Sequence, residues 1–182
     1  MIGSLQAERP QSAVRRTVVP LFLLLCFAAP ARAVDSLSVE YGRGNDRTDV
    51  WRVGGQWNWD KRWWQRGGWH LGAYWDLQFG EWRNRRDVYD LSVTPVFRYQ
   101  RSSGQVLPYV EGAIGFHMLS DLLISTRRLF STRFQYGDHV GIGAVLGRHD
   151  LSVRLQHLSN GGIARPNPGI NFLVLRYQLH WD

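Results

Sequence analysis

The chain has 182 residues, which is enough for one domain, and its formal net charge is +7. Its single cysteine excludes an intramolecular disulfide, and the sequence has no phosphate-binding loop, no dinucleotide-binding motif and no clustered metal ligands. We therefore expect no metal site.

The N-terminal segment has the pattern of a secretory signal peptide. Arg15 and Arg16 precede a short apolar run, VVPLFLLLCFAAP, and the small-residue tripeptide ARA follows it. The run is shorter than the roughly 20 apolar residues that a membrane-spanning helix needs. We expect cleavage after Ala33, which divides the chain into a signal peptide, 1–33, and a mature domain, 34–182.

The charge of the mature domain favours a phosphorylated partner. The signal peptide contains four arginines and one glutamate, so it accounts for +3 of the formal charge and leaves +4 for the mature domain. Lys61 is the only lysine, and arginine binds phosphate through two parallel hydrogen bonds. An exported chain meets little nucleic acid, so we expect no nucleic acid partner and favour phosphorylated lipid.

Eight segments of the mature domain alternate apolar and polar residues with the two-residue period of a β-strand. In chain order they are Ser36–Tyr41, Asp49–Trp59, Trp69–Trp82, Tyr89–Gln100, Val106–Met118, Phe134–Gly147, Asp150–Ser159 and Asn171–Trp181. Alternating segments of about ten residues are typical of membrane barrels, whose closure leaves no sheet edge exposed to lipid. The sequence therefore predicts an all-β fold, an eight-stranded antiparallel transmembrane β-barrel of the outer membrane.

A soluble lipocalin-like barrel is the alternative, because its strands alternate in the same way with the apolar face inside. Aromatic residues near the segment ends favour the membrane barrel, which carries aromatic girdles at both interfaces. Five tryptophans lie in such positions: Trp57, Trp59, Trp69, Trp82 and Trp181.

The predicted outer loops are rich in arginine. With an even number of strands both chain ends are periplasmic, so the outer loops are 42–48, 83–88, 119–133 and 160–170. Six of their arginines are candidates for binding substrate phosphate groups: Arg83, Arg85, Arg86, Arg127, Arg128 and Arg165. Loop charges that interact only with water explain the pattern equally well.

The seventh segment carries two polar residues on an apolar face. In DLSVRLQHLSN, Leu151, Val153 and Leu155 share one face, and His157 and Ser159 continue it. In a membrane barrel that face contacts lipid, where polar side chains are costly and therefore indicate function. The eighth segment begins with an asparagine, Asn171, on the same face, so three polar residues are expected to converge at the level of the outer leaflet.

A histidine close to a serine indicates acyl transfer. The imidazole of His157 can take the proton of the Ser159 hydroxyl, which is a weak nucleophile without a base. The Asn160 side chain and the Gly162 amide are candidate donors to the oxyanion that forms when an ester is attacked. The pattern H-x-S is not specific by itself, because most such pairs on strands are structural.

Four stretches carry a resemblance to a known family: QHLSNGGI, NPGIN, PYVEGAIGFHMLS and FQYGDHVGIGAVLG. They are similar to the lipid A 3-O-deacylases (PagL type) of the outer membrane. The resemblance implies an eight-stranded barrel that hydrolyses the ester-linked 3-O-acyl chain of lipid A in lipopolysaccharide. It also implies that the reaction takes place in the outer leaflet, on the outer wall of the barrel, without a cofactor.

The resemblance further implies roles for individual residues. His157 matches the family's general base and Ser159 its nucleophile. Asn160 and Gly162 match the oxyanion-hole positions, and Asn167 matches the polar residue that supports the site. Two further family positions are matched without a role that follows from the sequence: His117 and Phe134.

One position departs from the family pattern. Some members have a glutamate that orients the histidine, and Asn171 occupies that position here, fourteen residues after His157. An amide still accepts a hydrogen bond from the imidazole, although it cannot compensate the charge of an imidazolium. Asp138 is a second candidate, since a tight hairpin at 147–150 would place it opposite Ser159.

Two other functions and one assembly are kept open. A non-enzymatic barrel that binds lipid or has a structural role would explain the strands and the arginines, but not the lipid-facing His157 and Ser159. A lipid A acyltransferase would also use polar groups in the barrel wall, and release of free fatty acid would exclude it. A homodimer in the membrane is kept as a candidate assembly.

Overall fold

The structure is a computed structural model that describes residues 33–125 and 128–181. The predicted signal peptide, apart from Ala33, lies outside the described residues, as does the candidate phosphate ligand Arg127. In the part of the chain that is described, no helix is long and apolar enough to cross a membrane.

The described residues form one closed barrel. In chain order their strands are β1 (Ser36–Gly44), β2 (Asp49–Asn58), β3 (Trp63–Arg66), β4 (Trp69–Arg83), β5 (Asp87–Arg101), β6 (Val106–Leu119), β7 (Leu123–Ser125), β8 (Arg128–Leu129), β9 (Phe134–Leu146), β10 (His149–Ser159) and β11 (Ile170–His180). Strands β1, β2, β4, β5, β6, β9, β10 and β11 each pair antiparallel with the next. Strand β11 also pairs with β1, which closes the sheet, so the predicted eight-stranded antiparallel β-barrel is confirmed.

Three short strands lie outside the predicted set. Strand β3 pairs with the beginning of β4, and β7 and β8 form a small hairpin between β6 and β9. Each predicted segment coincides with one barrel strand, and the ends differ by a few residues; β1, for example, continues to Gly44.

The outer wall of the barrel is apolar and its interior is polar. On β10, Val153 and Leu155 face outward and are 42% and 61% exposed, whereas Arg154 between them is 4% exposed. The same alternation runs along β5 and β11. A soluble lipocalin-like barrel would have the opposite arrangement, so the alternation supports a wall that contacts lipid.

An ionic network fills the barrel interior. Four arginines are buried there beside five carboxylates: Arg52, Arg98, Arg154 and Arg176 with Glu40, Asp76, Asp90, Glu111 and Asp150. Glu111 joins two of the arginines, since its Oε1 accepts from Nε of Arg154 at 2.7 Å and its Oε2 lies 2.9 Å from Nη2 of Arg98. A buried charge without a partner is very costly, so the interior depends on the network being complete.

A small apolar core closes the outer end of the interior. Its members lie at the outer ends of the strands and in the loop between β6 and β9, and include Trp82, Leu119 and Phe130. Leu158 of β10 and Ile170 of β11 belong to the same core and are in register with each other. The core therefore packs against the inner side of the two strand ends that carry the predicted site, and supports them.

Candidate active site

Polar side chains form a row on the outer wall, near the outer ends of β9, β10 and β11. His157 is in register with Asn171 of β11 and with Asp138 of β9. Ser159 follows His157 on the same face, one step closer to the outer loop. The strands thus bring His157, Ser159 and Asn171 to one level of the wall.

Asn171 holds the imidazole of His157. The Nδ1 atom of His157 lies 2.6 Å from Oδ1 of Asn171. An amide oxygen only accepts hydrogen bonds, so Nδ1 carries the proton and Nε2 keeps a lone pair. This is the tautomer that a general base for Ser159 needs.

Asp138 lies two residues away from its expected position relative to β10. The loop between β9 and β10 contains only residues 147–148, and Gly147 has a φ of +58°, as two-residue hairpin turns require. The expected pairing of Asp138 with Ser159 is therefore wrong, because it placed the two-residue loop one residue later, at 148–149. Asp138 instead lies opposite His157, on the side away from Asn171.

Asn160 organises the turn that follows β10. Its buried side chain donates from Nδ2 to Oγ of Ser131 and to the carbonyl oxygen of Ala164, at 2.8 Å each. Its Oδ1 accepts from the Gly162 amide at 2.9 Å, and its own amide donates to Oδ1 of Asn167 at 3.1 Å. The donors that were predicted for the oxyanion are thus engaged within the turn, and Asn167 supports that turn.

Sequence reasoning missed Gly169, which contacts the histidine. Its φ is +56°, and a Cβ at this position would lie only 2.7 Å from Cε1 and 3.2 Å from Nε2 of His157. Only glycine therefore allows the turn to pass so close to the ring. The signal in the sequence was the NPG stretch, because a glycine that follows a proline marks a turn of defined geometry.

Arg128 links the loop that contains Asp46 to the turn that contains Pro168, so its guanidinium is not free to bind phosphate. Its Nε donates to Oδ2 of Asp46 at 3.0 Å, and its Nη1 donates to the carbonyl oxygen of Pro168 at 3.4 Å. Both side chains of the ion pair are only 14% exposed. The structure therefore corrects the prediction for Arg128, whose guanidinium is occupied in fixing the outer loops.

The other described candidates for phosphate binding are exposed in the outer loops: Arg83, Arg85, Arg86 and Arg165. Arg83 lies 2.7 Å from Glu81, and Arg86 lies 3.6 Å from Asp121. Exposed ion pairs contribute at most about 1 kcal/mol. A phosphate group can therefore compete for these arginines.

His117 and Phe134 match family positions to which no role was assigned, and they lie on opposite sides of the barrel wall. His117 points into the barrel, where its Nδ1 lies 2.9 Å from Oδ1 of Asp90. Phe134 packs on the outer wall against Phe116 and Tyr136, with ring centroids 5.8 and 5.1 Å apart. Since Tyr136 is in register with Ser159, the three aromatic rings border the site.

The fold and the polar row define a class of protein, a membrane β-barrel with a candidate active site on its lipid-facing wall. The model of the family described as Lipid A 3-O-deacylase (PagL) matches residues 50–180. The chain belongs to this family, and the resemblance seen in its sequence is confirmed.

Individual relatives agree with this assignment. Lipid A deacylase PagL of Pseudomonas aeruginosa is 30% identical over 172 residues, which are 90% of this chain and 98% of the relative. Lipid A deacylase PagL of Bordetella bronchiseptica is 35% identical over 96 residues, 52% of each chain. The crystal structure of the outer membrane enzyme PagL superposes with a TM-score of 0.76 at 28% identity, over 80% of this chain and 99% of that one. The protein is an outer-membrane β-barrel.

Proposed function

We propose that this protein is a lipid A 3-O-deacylase in which Ser159 attacks the ester and His157 is the general base. The observation that carries the proposal is the hydrogen bond of 2.6 Å from Nδ1 of His157 to Asn171, on a wall that faces lipid. It leaves Nε2 as the basic nitrogen of a ring that shares the outer face of β10 with Ser159. The family supplies the substrate class.

The reaction follows the logic of serine esterases. Nε2 of His157 takes the hydroxyl proton while Oγ of Ser159 bonds to the carbonyl carbon of the 3-O-acyl ester. The tetrahedral intermediate collapses, the bond to the sugar oxygen breaks, and that oxygen receives the proton from the imidazolium. Water then attacks the acyl-serine while Nε2 of His157 takes its proton. The bond between the acyl carbon and Oγ breaks, the fatty acid leaves, and the imidazolium returns the proton to Oγ of Ser159.

The oxyanion requires hydrogen-bond donors. In the free enzyme the candidate donors are bonded to other groups of the turn that follows β10. The Gly162 amide donates to Oδ1 of Asn160 in the free enzyme. An oxyanion is a stronger acceptor than a neutral amide oxygen, so it can replace Asn160 as the partner of this amide. The exposed position of Gly162 and its φ of +83° suit an amide that meets the substrate.

Asp138 supplies the negative charge that Asn171 lacks. Asn171 fixes the ring but carries no charge to stabilise the imidazolium that forms during attack. Asp138 lies opposite His157 on the neighbouring strand, and at the edge of the lipid a charge interacts more strongly than in water. The two residues thus divide between them the roles that one glutamate fulfils in some family members.

The arginines of the outer loops complete the substrate site. The exposed guanidinium groups of Arg83, Arg85, Arg86 and Arg165 lie on the side where the sugar phosphates of lipid A are expected, and bind phosphate by paired hydrogen bonds. Arg127 keeps the same proposed role on sequence grounds alone.

The proposed function is tested by mass spectrometry of lipid A. Purified protein in detergent is incubated with lipopolysaccharide, and both the lipid A and the free fatty acid are analysed. We expect loss of one 3-O-linked hydroxyacyl chain and an equal amount of free hydroxy fatty acid. A chain transferred to another lipid would indicate an acyltransferase, and unchanged lipid A would indicate a non-enzymatic barrel.

Substitution of Asn171 separates the positioning of the base from its charge. Asn171→Ala removes the acceptor for Nδ1, so the ring loses its fixed orientation, and we expect kcat to fall about 10- to 100-fold. Asn171→Glu restores an acceptor with a charge and should equal or exceed the unaltered rate. The measurement is fatty acid release at saturating substrate, with KM determined for each variant.

The companion variant is Asp138→Asn, which removes the second carboxylate. If Asp138 compensates the imidazolium, the loss in kcat caused by Asp138→Asn becomes smaller when residue 171 is already glutamate. Equal losses in both backgrounds would contradict the proposed division of roles.

A further inference from the structure

A cavity opens at the end of the barrel opposite to the candidate active site. Its volume is about 320 Å³, at the lower end of the range for small-molecule pockets. The inner faces of six barrel strands line it, through residues that include Gln56, Tyr74, Gln100, Leu107, Val145 and His180. Strand β1 begins and β11 ends at this level, so the cavity belongs to the predicted periplasmic end of the barrel.

The charges at the floor of the cavity are compensated. Arg98 lies there with its Nη1 2.8 Å from Oδ2 of Asp150 and its Nη2 2.9 Å from Oε2 of Glu111. Nε2 of His180 lies 3.5 Å from the same oxygen of Asp150. These contacts belong to the ionic network of the interior, so the floor closes the cavity and adds no unpaired charge to it.

The rim of the cavity carries positive charge without a compensating carboxylate. Arg62, which precedes β3, is exposed and forms no ion pair with any described residue. Its guanidinium is close enough to His70 for its charge to act on that ring. No aspartate or glutamate is among the described residues that line the cavity. The opening therefore favours an anion.

Two further groups can donate hydrogen bonds in this cavity. Nδ1 of His70 lies 2.9 Å from Oγ of Ser102, whose hydroxyl can donate to it and leave the proton on Nε2. Trp59 also lines the cavity, and Nε1 of its indole is buried without an acceptor among the described residues. Because buried donors normally have a partner, an oxyanion in the cavity supplies the acceptor that this indole lacks.

Gly72 leaves the space that such a ligand needs. It faces the interior of β4 between His70 and Tyr74 and is part of the lining. Among the described residues, a Cβ at Gly72 would meet only the edge of the His70 ring within 4 Å, with Nε2 at 3.8 Å. The open space beside Gly72 therefore lies next to a nitrogen that can donate to a ligand.

We propose that this cavity binds a phosphate group, with Arg62 as its charged partner and Nε2 of His70 and Nε1 of Trp59 as neutral donors. The guanidinium of arginine bonds to two phosphate oxygens at once, and the other donors can reach the remaining oxygens. The volume leaves room for a further small polar part, as in a phospholipid headgroup or in free glycerol phosphate. The site lies at the opposite end of the barrel from Ser159 and does not depend on the deacylase function.

The test is isothermal titration calorimetry on the purified protein in a non-ionic detergent. The probes are inorganic phosphate, glycerol 3-phosphate and short-chain phosphatidylglycerol, each corrected by titration into protein-free micelles. Arg62→Gln removes the charge, and Gly72→Leu fills the cavity without a change of charge. The control is Arg66→Gln, which removes an exposed arginine at the end of β3 that is not part of the described lining. All variants are first checked for barrel migration in unheated gel samples.

We expect saturable binding that Arg62→Gln weakens at least about tenfold, because a hydrogen bond between charged groups is lost. Gly72→Leu should weaken it by a similar factor, and Arg66→Gln by less than about twofold. Binding of glycerol 3-phosphate supports a free phosphate compound as the ligand, and binding of phosphatidylglycerol alone supports a lipid headgroup.

Three results would overturn the proposal: no saturable binding of any probe, equal weakening by Arg66→Gln and Arg62→Gln, or unchanged binding by a folded Gly72→Leu variant. If Gly72→Leu does not fold, the comparison of Arg62→Gln with Arg66→Gln decides by itself.

Discussion

Replacing Ser159 with alanine is expected to lower kcat for release of the 3-O-acyl chain at least about 1,000-fold, because the variant cannot form the acyl-serine. The barrel itself should be unaffected, since Ser159 lies at the end of β10 on the outer wall. The measurement is the amount of free hydroxy fatty acid released from lipopolysaccharide in detergent, followed by mass spectrometry.

Ser152→Ala is the matched control for this variant. Ser152 lies on the same strand but faces the buried interior, where it cannot meet a lipid substrate. We expect it to retain full activity, and both variants should migrate as folded barrels in unheated gel samples. Full activity of Ser159→Ala would exclude the proposed nucleophile while leaving the family assignment intact.

Replacing Glu111 with alanine is expected to lower the free energy of unfolding by about 3–5 kcal/mol. Glu111 accepts hydrogen bonds from Arg154 at 2.7 Å and from the Tyr74 hydroxyl at 2.8 Å, and it also pairs with Arg98. Without this carboxylate two buried arginines lose a partner in a site from which water is largely excluded. Tryptophan fluorescence during denaturant unfolding in lipid vesicles measures the change.

Two further variants of β6 test whether the charge is the cause. Glu111→Gln keeps an acceptor but loses the charge, so we expect an intermediate loss of stability. Ile114→Ala changes a lipid-facing residue of the same strand and should alter the free energy of unfolding by less than about 1 kcal/mol. A loss as large for Ile114→Ala as for Glu111→Ala would show that strand packing, and not the network, is being measured.

The barrel and the level of the site could be predicted because both follow from the two-residue period of a strand. Parity along DLSVRLQHLSN was enough to put His157 and Ser159 on the same face as Leu155, and that face is the outer wall in the structure. Parity along the last strand put Asn171 on the same face, where it bonds to His157. These inferences needed only the local alternation of apolar and polar residues. That alternation is required because one face of each strand contacts lipid and the other faces the polar interior.

The contacts that depend on turns and on distant segments could not be predicted. The register of Asp138 depends on whether the two-residue hairpin loop is 147–148 or 148–149, because moving the loop by one residue shifts the pairing by two. Arg128 meets Asp46, 82 residues earlier in the chain, so its charge appeared free in the sequence. Asn160 was assigned to the oxyanion because the sequence does not reveal that its side chain is already bound within the turn.

The filled interior has a consequence for the cell as well as for the fold. Arginines and carboxylates occupy the lumen from side to side, and the apolar core around Trp82 and Leu158 closes its outer end. Within the described residues the lumen thus offers ions and small solutes no continuous aqueous path, and we expect no current steps when the protein is reconstituted in a planar bilayer. The proposed active site on the outer wall needs no lumen, so the protein can be abundant without weakening the permeability barrier of the outer membrane.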